Sequence, residues 1–283
     1  MNFKQLLIDL QHVRLRSLKK MEIVSLIEEM LENIDAADCE LRENLIYPTF
    51  VKIFEEDILS QNQYINLIDV LLSKAHLFKA LDATENTAPN DVFMRSYSAL
   101  VITEIIKKDA SNPFFDDEQY SFILEKVMQY IEQENDTRAY DDKNNKIATM
   151  QHASFLLSAL ASHPRATGID WIKILLGIKT CILKPNMLYD LIIKDFALVS
   201  ISCLDNGMEE AKLLSWLETL SKEAQSNCET KEKFVKNIST YINVLQFNKS
   251  LYFCLRFNSQ KLRLRAEIAE IIKNLYAAID NKY

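Results

Sequence analysis

Glycine and proline are scarce in this chain, which has three glycines and five prolines among 283 residues. Tight turns between β-strands depend on these two residues, so their scarcity excludes a strand-rich fold and favours an all-α protein. Dinucleotide-binding loops and P-loops need several glycines, because they use backbone conformations that other residues adopt only with strain. The composition therefore excludes nucleotide enzymes of those two classes.

The chain also lacks an excess of basic residues, since its formal net charge is -7. An acidic surface repels a phosphate backbone, so we expect no nucleic-acid partner. Long apolar runs are missing as well. The run near the start is broken by Asp9 and His12 before a signal-peptide core forms, and no later run approaches the length that spans a membrane. We expect no membrane association.

Cysteine usage gives no disulfide framework. The five cysteines are odd in number, are widely spaced and form no C-x-x-C pair; they are Cys39, Cys181, Cys203, Cys228 and Cys254. This pattern is typical of reduced, mostly buried thiols. The sequence therefore predicts a soluble, cytoplasmic protein.

Apolar residues recur at helical spacing in segments separated by short polar breaks. The predicted helices are 3–15, 20–34, 38–58, 61–77, 90–108, 117–133, 146–162, 168–184, 187–204, 208–224, 230–256 and 260–280. A pair of such helices with its loops comes to about 40 residues, the period of HEAT-like arrays, although no residue-level repeat accompanies it. We predict one domain over residues 1–283, an α-α superhelix of antiparallel helix pairs resembling HEAT and armadillo folds. A closed helical bundle is the alternative.

Local chemistry supports several of these boundaries. Ser60 with Gln63, and Thr167 with Asp170, have the spacing of capping boxes that begin a helix. Pro48 removes a backbone donor within the segment 38–58. That segment is therefore expected to kink or divide there.

The most informative local stretch begins at Asn90. Asp91 and Arg95 are four residues apart on a first helical turn, beside an apolar seam that includes Tyr97. Ala99 and Ile102 follow Arg95 at i+4 and i+7 and make a second apolar stripe. The helix is thus expected to lie between two layers, with Arg95 largely buried and paired with Asp91 or another acid.

Several pieces of the chain resemble one bacterial, all-helical family that is catalogued only as a domain of unknown function and has no established activity. The resemblance is strongest over residues 41–184. It rests on Leu41 to Pro48, Leu77-Phe78, Asp91 to Leu100, Tyr130 to Arg138, His152, Leu156-Leu157 and His163-Pro164.

The chain departs from that family in one region. After the arginine that Arg138 matches, members show Gly and then a Gly-Trp-x-His-x-x-x-His-x-x-Asp run, whose two histidines and aspartate share a helix face. The corresponding residues here are Ala139, Asn145, Lys146, Ala148, His152 and Phe155. Only the second histidine remains, and a single histidine is not a metal site. We expect no metal and no cofactor.

Four residues are the candidates for a ligand-binding site: Asp91, Arg95, Arg138 and His152. The two arginines could recognise a carboxylate or phosphate through their planar fork, or they could order the neighbouring loops. His152 has apolar neighbours at i-4, i+3 and i+7, which is typical of a core histidine. No serine or cysteine lies on a glycine-flanked elbow, so no catalytic residue is proposed.

Three functions are compatible with this sequence. The first is a non-catalytic module that holds a protein or peptide in a concave groove rimmed by loops 82–89 and 135–145. The second is an enzyme, or a decayed relative of one, with a polar pocket formed by the four candidate residues. The third is a HEAT-like base-excision glycosylase, which needs a lysine-rich groove with aromatic residues. The binding module is preferred, and the sequence leaves the oligomeric state open.

Overall fold

The regular secondary structure is helical. The computed structural model describes residues 2–81, 88, 90–140, 146–256 and 261–280, and in this part the only β pairing is one isolated bridge between Tyr140 and Lys146. The all-α prediction is confirmed.

The described part contains twelve α-helices, a 3₁₀ turn at Leu15–Ser17 and a π-helix at Glu40–Ile46. The α-helices are α1 Phe3–Leu10, α2 Lys20–Glu32, α3 Tyr47–Glu55, α4 Gln61–Leu71, α5 Asp91–Ser111, α6 Asp117–Gln133, α7 Thr149–Ala161, α8 Gly168–Ile182, α9 Asp190–Asp205, α10 Glu210–Ser226, α11 Lys231–Leu255 and α12 Leu262–Asp280.

The segment around Pro48 changes from a π-helix to α3 between Ile46 and Tyr47, and its backbone stays helical through this point. Proline donates no backbone hydrogen bond, which is consistent with a change of bonding pattern here. The kink expected at Pro48 stays a prediction. A π-helix is a rare, strained arrangement that often accompanies functional sites. In this chain it sets the position of Arg42, a residue with an unusual environment.

The predicted caps are present. The backbone N–H of Ser60 donates to Gln63 Oε1 at 2.9 Å, and that of Thr167 donates to Asp170 Oδ2 at 3.0 Å. Each bond satisfies a backbone donor at the start of its helix, which has no partner within the helix. These local bonds explain why the sequence pattern located the starts of α4 and α8.

The chain turns sharply after α9 at Gly207. This residue has φ +115°. The N–H of Gly207 donates to the Leu204 carbonyl at 3.2 Å, and the N–H of Met208 donates to the Cys203 carbonyl at 2.9 Å. This is a Schellman motif, in which a left-handed residue after the helix lets two terminal carbonyls be satisfied. Glycine adopts that conformation with least strain, so α9 ends there.

The chain divides into two compact units. Unit 1 comprises Met1–Lys126 and Arg138–Leu156, and unit 2 comprises Val127–Thr137 and Leu157–Tyr283. Two of the three boundaries fall within α6 and α7, and the third lies between these helices, at residues 137 and 138. The single-domain prediction stays a prediction, and most of loop 82–89 and residues 141–145, expected to rim a groove, lie outside the described residues.

In unit 1 the central element is α5, which packs against α3 and α4. Sixteen of its 21 residues are buried, and they lie all around the helix. Arg95 is among them, so the predicted burial of this arginine and the two apolar stripes are confirmed. Between Asp91 and Glu104 the helix carries one charged side chain, that of Arg95, as expected for a stretch that is buried on all sides.

In unit 2 the central element is α11, which packs against α8, α9, α10 and α12. Its buried Asn243 accepts a hydrogen bond from the Leu188 N–H at 2.9 Å and donates to the carbonyls of Ile182 and Asn186 at 3.1 and 2.9 Å. One amide thus satisfies three backbone groups in the connection between α8 and α9. It fixes the start of α9 against the middle of α11.

Candidate functional site

The four candidate residues have different environments. Asp91, Arg95 and His152 are buried, with 7%, 6% and 4% of their surface exposed, whereas Arg138 is exposed. Asp91 and Arg95 belong to α5, and His152 belongs to α7. Asp91 and Arg95 lie one turn apart on the same face of α5, whereas His152 contacts that helix at Ser96 and Tyr97.

Asp91 and Arg95 fasten the segment that precedes α5. The N–H of Ala88 donates to Asp91 Oδ2 at 2.8 Å, and Arg95 Nη1 donates to the Lys79 carbonyl at 3.0 Å. Both backbone groups precede the helix in sequence, so the two side chains order the chain that leads into it. These contacts favour the loop-ordering interpretation, while the ion pair between Asp91 and Arg95 stays a prediction.

His152 links α7 to α5. Its Nδ1 lies 2.9 Å from the Ser96 carbonyl oxygen and 2.9 Å from Ser96 Oγ, and its ring meets Tyr97 edge-on with centroids 5.4 Å apart. Burial lowers the pKa of His152 to about 4, with the positive charges of Lys146 and Arg42 acting in the same direction. The imidazole is therefore neutral at pH 7 and behaves as a core residue.

The structure adds one residue to this region that sequence reasoning did not select. Arg42, on the π-helix, has none of its surface exposed, and its Cζ lies 4.1 Å from the ring centroid of Phe93 and 5.0 Å from that of Tyr97. Its Nη1 donates to the Ala36 carbonyl and its Nη2 to Glu43 Oε1 at 3.0 Å. Stacking on two rings stabilises a guanidinium that has been removed from water.

A sequence signal for this burial exists. Ile46 and Phe50 follow Arg42 at i+4 and i+8, so the arginine shares a helical face with two core residues. Its burial also limits its chemistry. A solute reaches the guanidinium only if the core opens, so Arg42 is a structural cation in this conformation.

An open groove lies in unit 2, between α9 and α11. It has a volume of about 650 Å³. Its lining residues are Asp190, Lys194 and Leu198 from α9, and Gln246, Lys249, Ser250, Phe253 and Cys254 from α11. None of these eight residues was a candidate from sequence, because only the packing of α9 on α11 brings the two sets together.

The groove combines apolar and cationic side chains. Leu198 and Phe253 expose 39% and 54% of their surface, although both belong to helices that pack in the core. Burial raises the pKa of the Cys254 thiol, and the nearby Lys194 charge opposes that effect only in part. A raised pKa reduces the fraction of Cys254 that is present as the nucleophilic thiolate.

The described residues provide neither a cluster of metal ligands nor a membrane-spanning helix. Within the described ranges, no group of three or more His, Cys, Asp or Glu side chains is arranged to hold a metal ion. None of the helices in this same part of the chain combines the length and the apolar character that crossing a bilayer requires.

Comparison with known proteins identifies a family but no function. No curated protein and no solved structure matches the chain. A family profile described as "Protein of unknown function (DUF2785)" matches residues 77–253, which include α5, His152 and every residue that lines the α9–α11 groove except Cys254. Because this match covers more than half of the sequence, the chain belongs to the DUF2785 family.

Proposed function

We propose that this protein is a non-catalytic binding module of the HEAT-like helical class, and that it holds a peptide segment of another protein in the α9–α11 groove. The observation that carries the proposal is the exposure of Leu198 and Phe253 within one groove. Large apolar side chains grouped in a concave site are typical of ligand recognition.

The dimensions of the groove support a peptide ligand. Its volume of about 650 Å³ lies within the range of natural binding sites and accommodates a few side chains. Its lining comes from two packed helices, so the site is preorganised and binding requires little ordering of the protein. A peptide that brings an apolar side chain to Leu198 and Phe253 removes their surfaces from water, which favours association.

The alternative, an enzyme with a polar pocket around Asp91, Arg95, Arg138 and His152, has less support. The described polar contacts of Asp91, Arg95 and His152 include backbone groups within the fold. His152 is neutral at pH 7 and packed against Tyr97, and Arg138 is exposed. Such residues stabilise the chain around α5 instead of facing a common ligand.

The proposal is tested by selecting binders from a displayed library of short random peptides and measuring their Kd by fluorescence polarisation. We expect Phe253→Ser to weaken binding by about tenfold or more, because a buried aromatic contact is lost. Phe122→Ser is the matched control, since Phe122 is an exposed phenylalanine on α6, far from α9 and α11 in sequence. Failure to obtain any binder that depends on Phe253 would overturn the proposal.

A further inference from the structure

We infer that the peptide held in the α9–α11 groove is acidic, and that it presents a carboxylate and a large apolar side chain on one face, about 6 Å apart. This inference rests on the proposed function and specifies the chemistry of its ligand. It follows from the order in which charged and apolar residues line the groove.

The two helices run in the same direction along the groove. Asn243 of α11 holds the Leu188 N–H just before α9, and both chains then advance to Leu198 and Phe253, which line the same groove. In an antiparallel arrangement those two side chains would diverge from the Asn243 contact in opposite directions. They could not then border one cavity.

Because the helices are parallel, lining residues of α9 and α11 lie in pairs at equal heights along the groove. Lys194 precedes Leu198 by four residues on α9, and Lys249 precedes Phe253 by four residues on α11. Four residues of helix advance about 6 Å along the axis and return to the same face. The groove therefore has two lysines at one level and two exposed apolar side chains about one helical turn further along.

The two lysines are available to a ligand. Among the described residues neither Lys194 nor Lys249 makes an ion pair or a side-chain hydrogen bond, whereas Lys179, Lys212 and Lys261 of the same unit each pair with a glutamate. Asp190 is the acid that lines the groove, one turn before Lys194. Two ammonium groups and one carboxylate leave the groove with a net positive charge in a chain of net charge -7.

This arrangement fits a peptide carboxylate. Glutamate or aspartate placed four positions from an apolar residue on a helix, or two positions from it on an extended strand, spans about 6 to 7 Å. The carboxylate then accepts hydrogen bonds from the two ammonium groups while the apolar side chain covers Leu198 and Phe253. A nucleic-acid backbone fits less well, because Asp190 and the overall negative charge repel successive phosphates.

The test uses three displayed peptide libraries that share a fixed leucine and carry glutamate, glutamine or lysine at the partner position. We expect binders that depend on Phe253 to come mainly from the glutamate library. Changing glutamate to glutamine in such a binder should weaken binding about tenfold at low salt, and added salt should reduce this difference. In the double variant Lys194→Ala/Lys249→Ala, the two peptides should bind equally.

Lys231→Ala/Lys236→Ala is the matched control, because it removes two exposed lysines of α11 outside the groove. It should preserve the preference for glutamate. Binders that depend on Phe253 but are neutral or basic would overturn this inference and leave the proposed function standing. A lack of any binder that depends on Phe253 would instead overturn the proposed function. A single-stranded oligonucleotide that binds through Lys194 and Lys249 with comparable affinity would also overturn the inference.

Discussion

Helices α5 and α11 are the two longest of the described part, with 21 and 25 residues, and each packs against several neighbours. They differ in how much of their surface the fold covers. α5 is buried on all sides for most of its length, whereas α11 leaves one face open, along which Lys249 and Phe253 border a groove. The two helices therefore use their polar side chains differently.

On α5 the polar side chains serve the fold. Arg95 and Ser96 contact the Lys79 carbonyl and His152, and Thr103 Oγ1 donates to the Ala99 carbonyl at 2.8 Å. A polar group inside a core costs stability unless it is hydrogen-bonded, so these contacts accompany its burial. On the open face of α11 no such requirement exists. Polar groups there remain available to a ligand. A binding site is therefore expected on the open face of α11 and not on α5, which is buried for most of its length.

The largest expected effect concerns Arg42, which packs on the Phe93 and Tyr97 rings of α5. Arg42→Ala should lower the free energy of unfolding by about 3 to 5 kcal/mol, because it leaves a cavity and strands the Ala36 carbonyl and the Glu43 carboxylate. Urea unfolding followed by far-UV circular dichroism measures this. Arg42→Lys, which keeps the charge but not the planar stacking, should show a smaller loss, and Arg14→Ala, on the surface, should change stability by less than about 0.5 kcal/mol.

The second prediction concerns Arg95, which lies on α5 itself and donates to the Lys79 carbonyl. Arg95→Met should cost about 3 kcal/mol, because a buried side chain loses its hydrogen bond to the part-buried Lys79 carbonyl and leaves that carbonyl without this donor. A loss below about 1 kcal/mol would contradict a structural role for this arginine. A double-mutant cycle with Asp91→Asn also tests the predicted ion pair, which should give a coupling energy of about 1 kcal/mol or more.

His152 gives the α5 region a dependence on pH. Its pKa is lowered to about 4 in the folded protein, so between about pH 6.5 and pH 4 the unfolded chain binds more protons than the folded one. Neutral His152 therefore contributes fully to the free energy of unfolding above about pH 6.5. This contribution is lost as the pH falls, and the loss amounts to about 2 kcal/mol at about pH 5.

The measurement compares wild type with His152→Gln by urea unfolding at about pH 7.5 and about pH 5. Burial lowers the pKa of His76 and raises that of Asp35, and both residues are present in either protein. The difference between the two proteins therefore isolates His152. Equal losses of stability in the two proteins would contradict a neutral, buried imidazole.

The smallest expected effect is on the groove of α11. Phe253→Ala should reduce the free energy of unfolding by less than about 1 kcal/mol, because more than half of the side chain is already exposed to water. Phe93→Ala on α5 is the matched comparison and should cost about 3 to 5 kcal/mol, since Phe93 is 2% exposed. Thermal unfolding of both variants tests the contrast, and a similar cost for the two would show that Phe253 supports the fold.

Many features of this protein were predictable from sequence because their causes are local. The scarcity of glycine and proline and the helical spacing of apolar residues determined an all-α fold. Capping residues such as Ser60 located helix starts, and the two apolar stripes that flank Arg95 predicted its burial. Each of these inferences depends on residues within a few turns of one another, where backbone geometry fixes which side chains are neighbours.

The positions of Arg42 and His152 and the composition of the groove depended on tertiary structure. His152 meets Ser96 across 56 positions, and Phe253 lines one groove with Lys194 and Leu198 only because α11 packs on α9 after the chain has passed through α10. Helical periodicity states which residues share a face, but not which other helix covers that face. The packing of whole helices decides which face is covered and which stays open. In this protein that packing made Arg42 a core residue and left Lys194 and Lys249 lining an open groove.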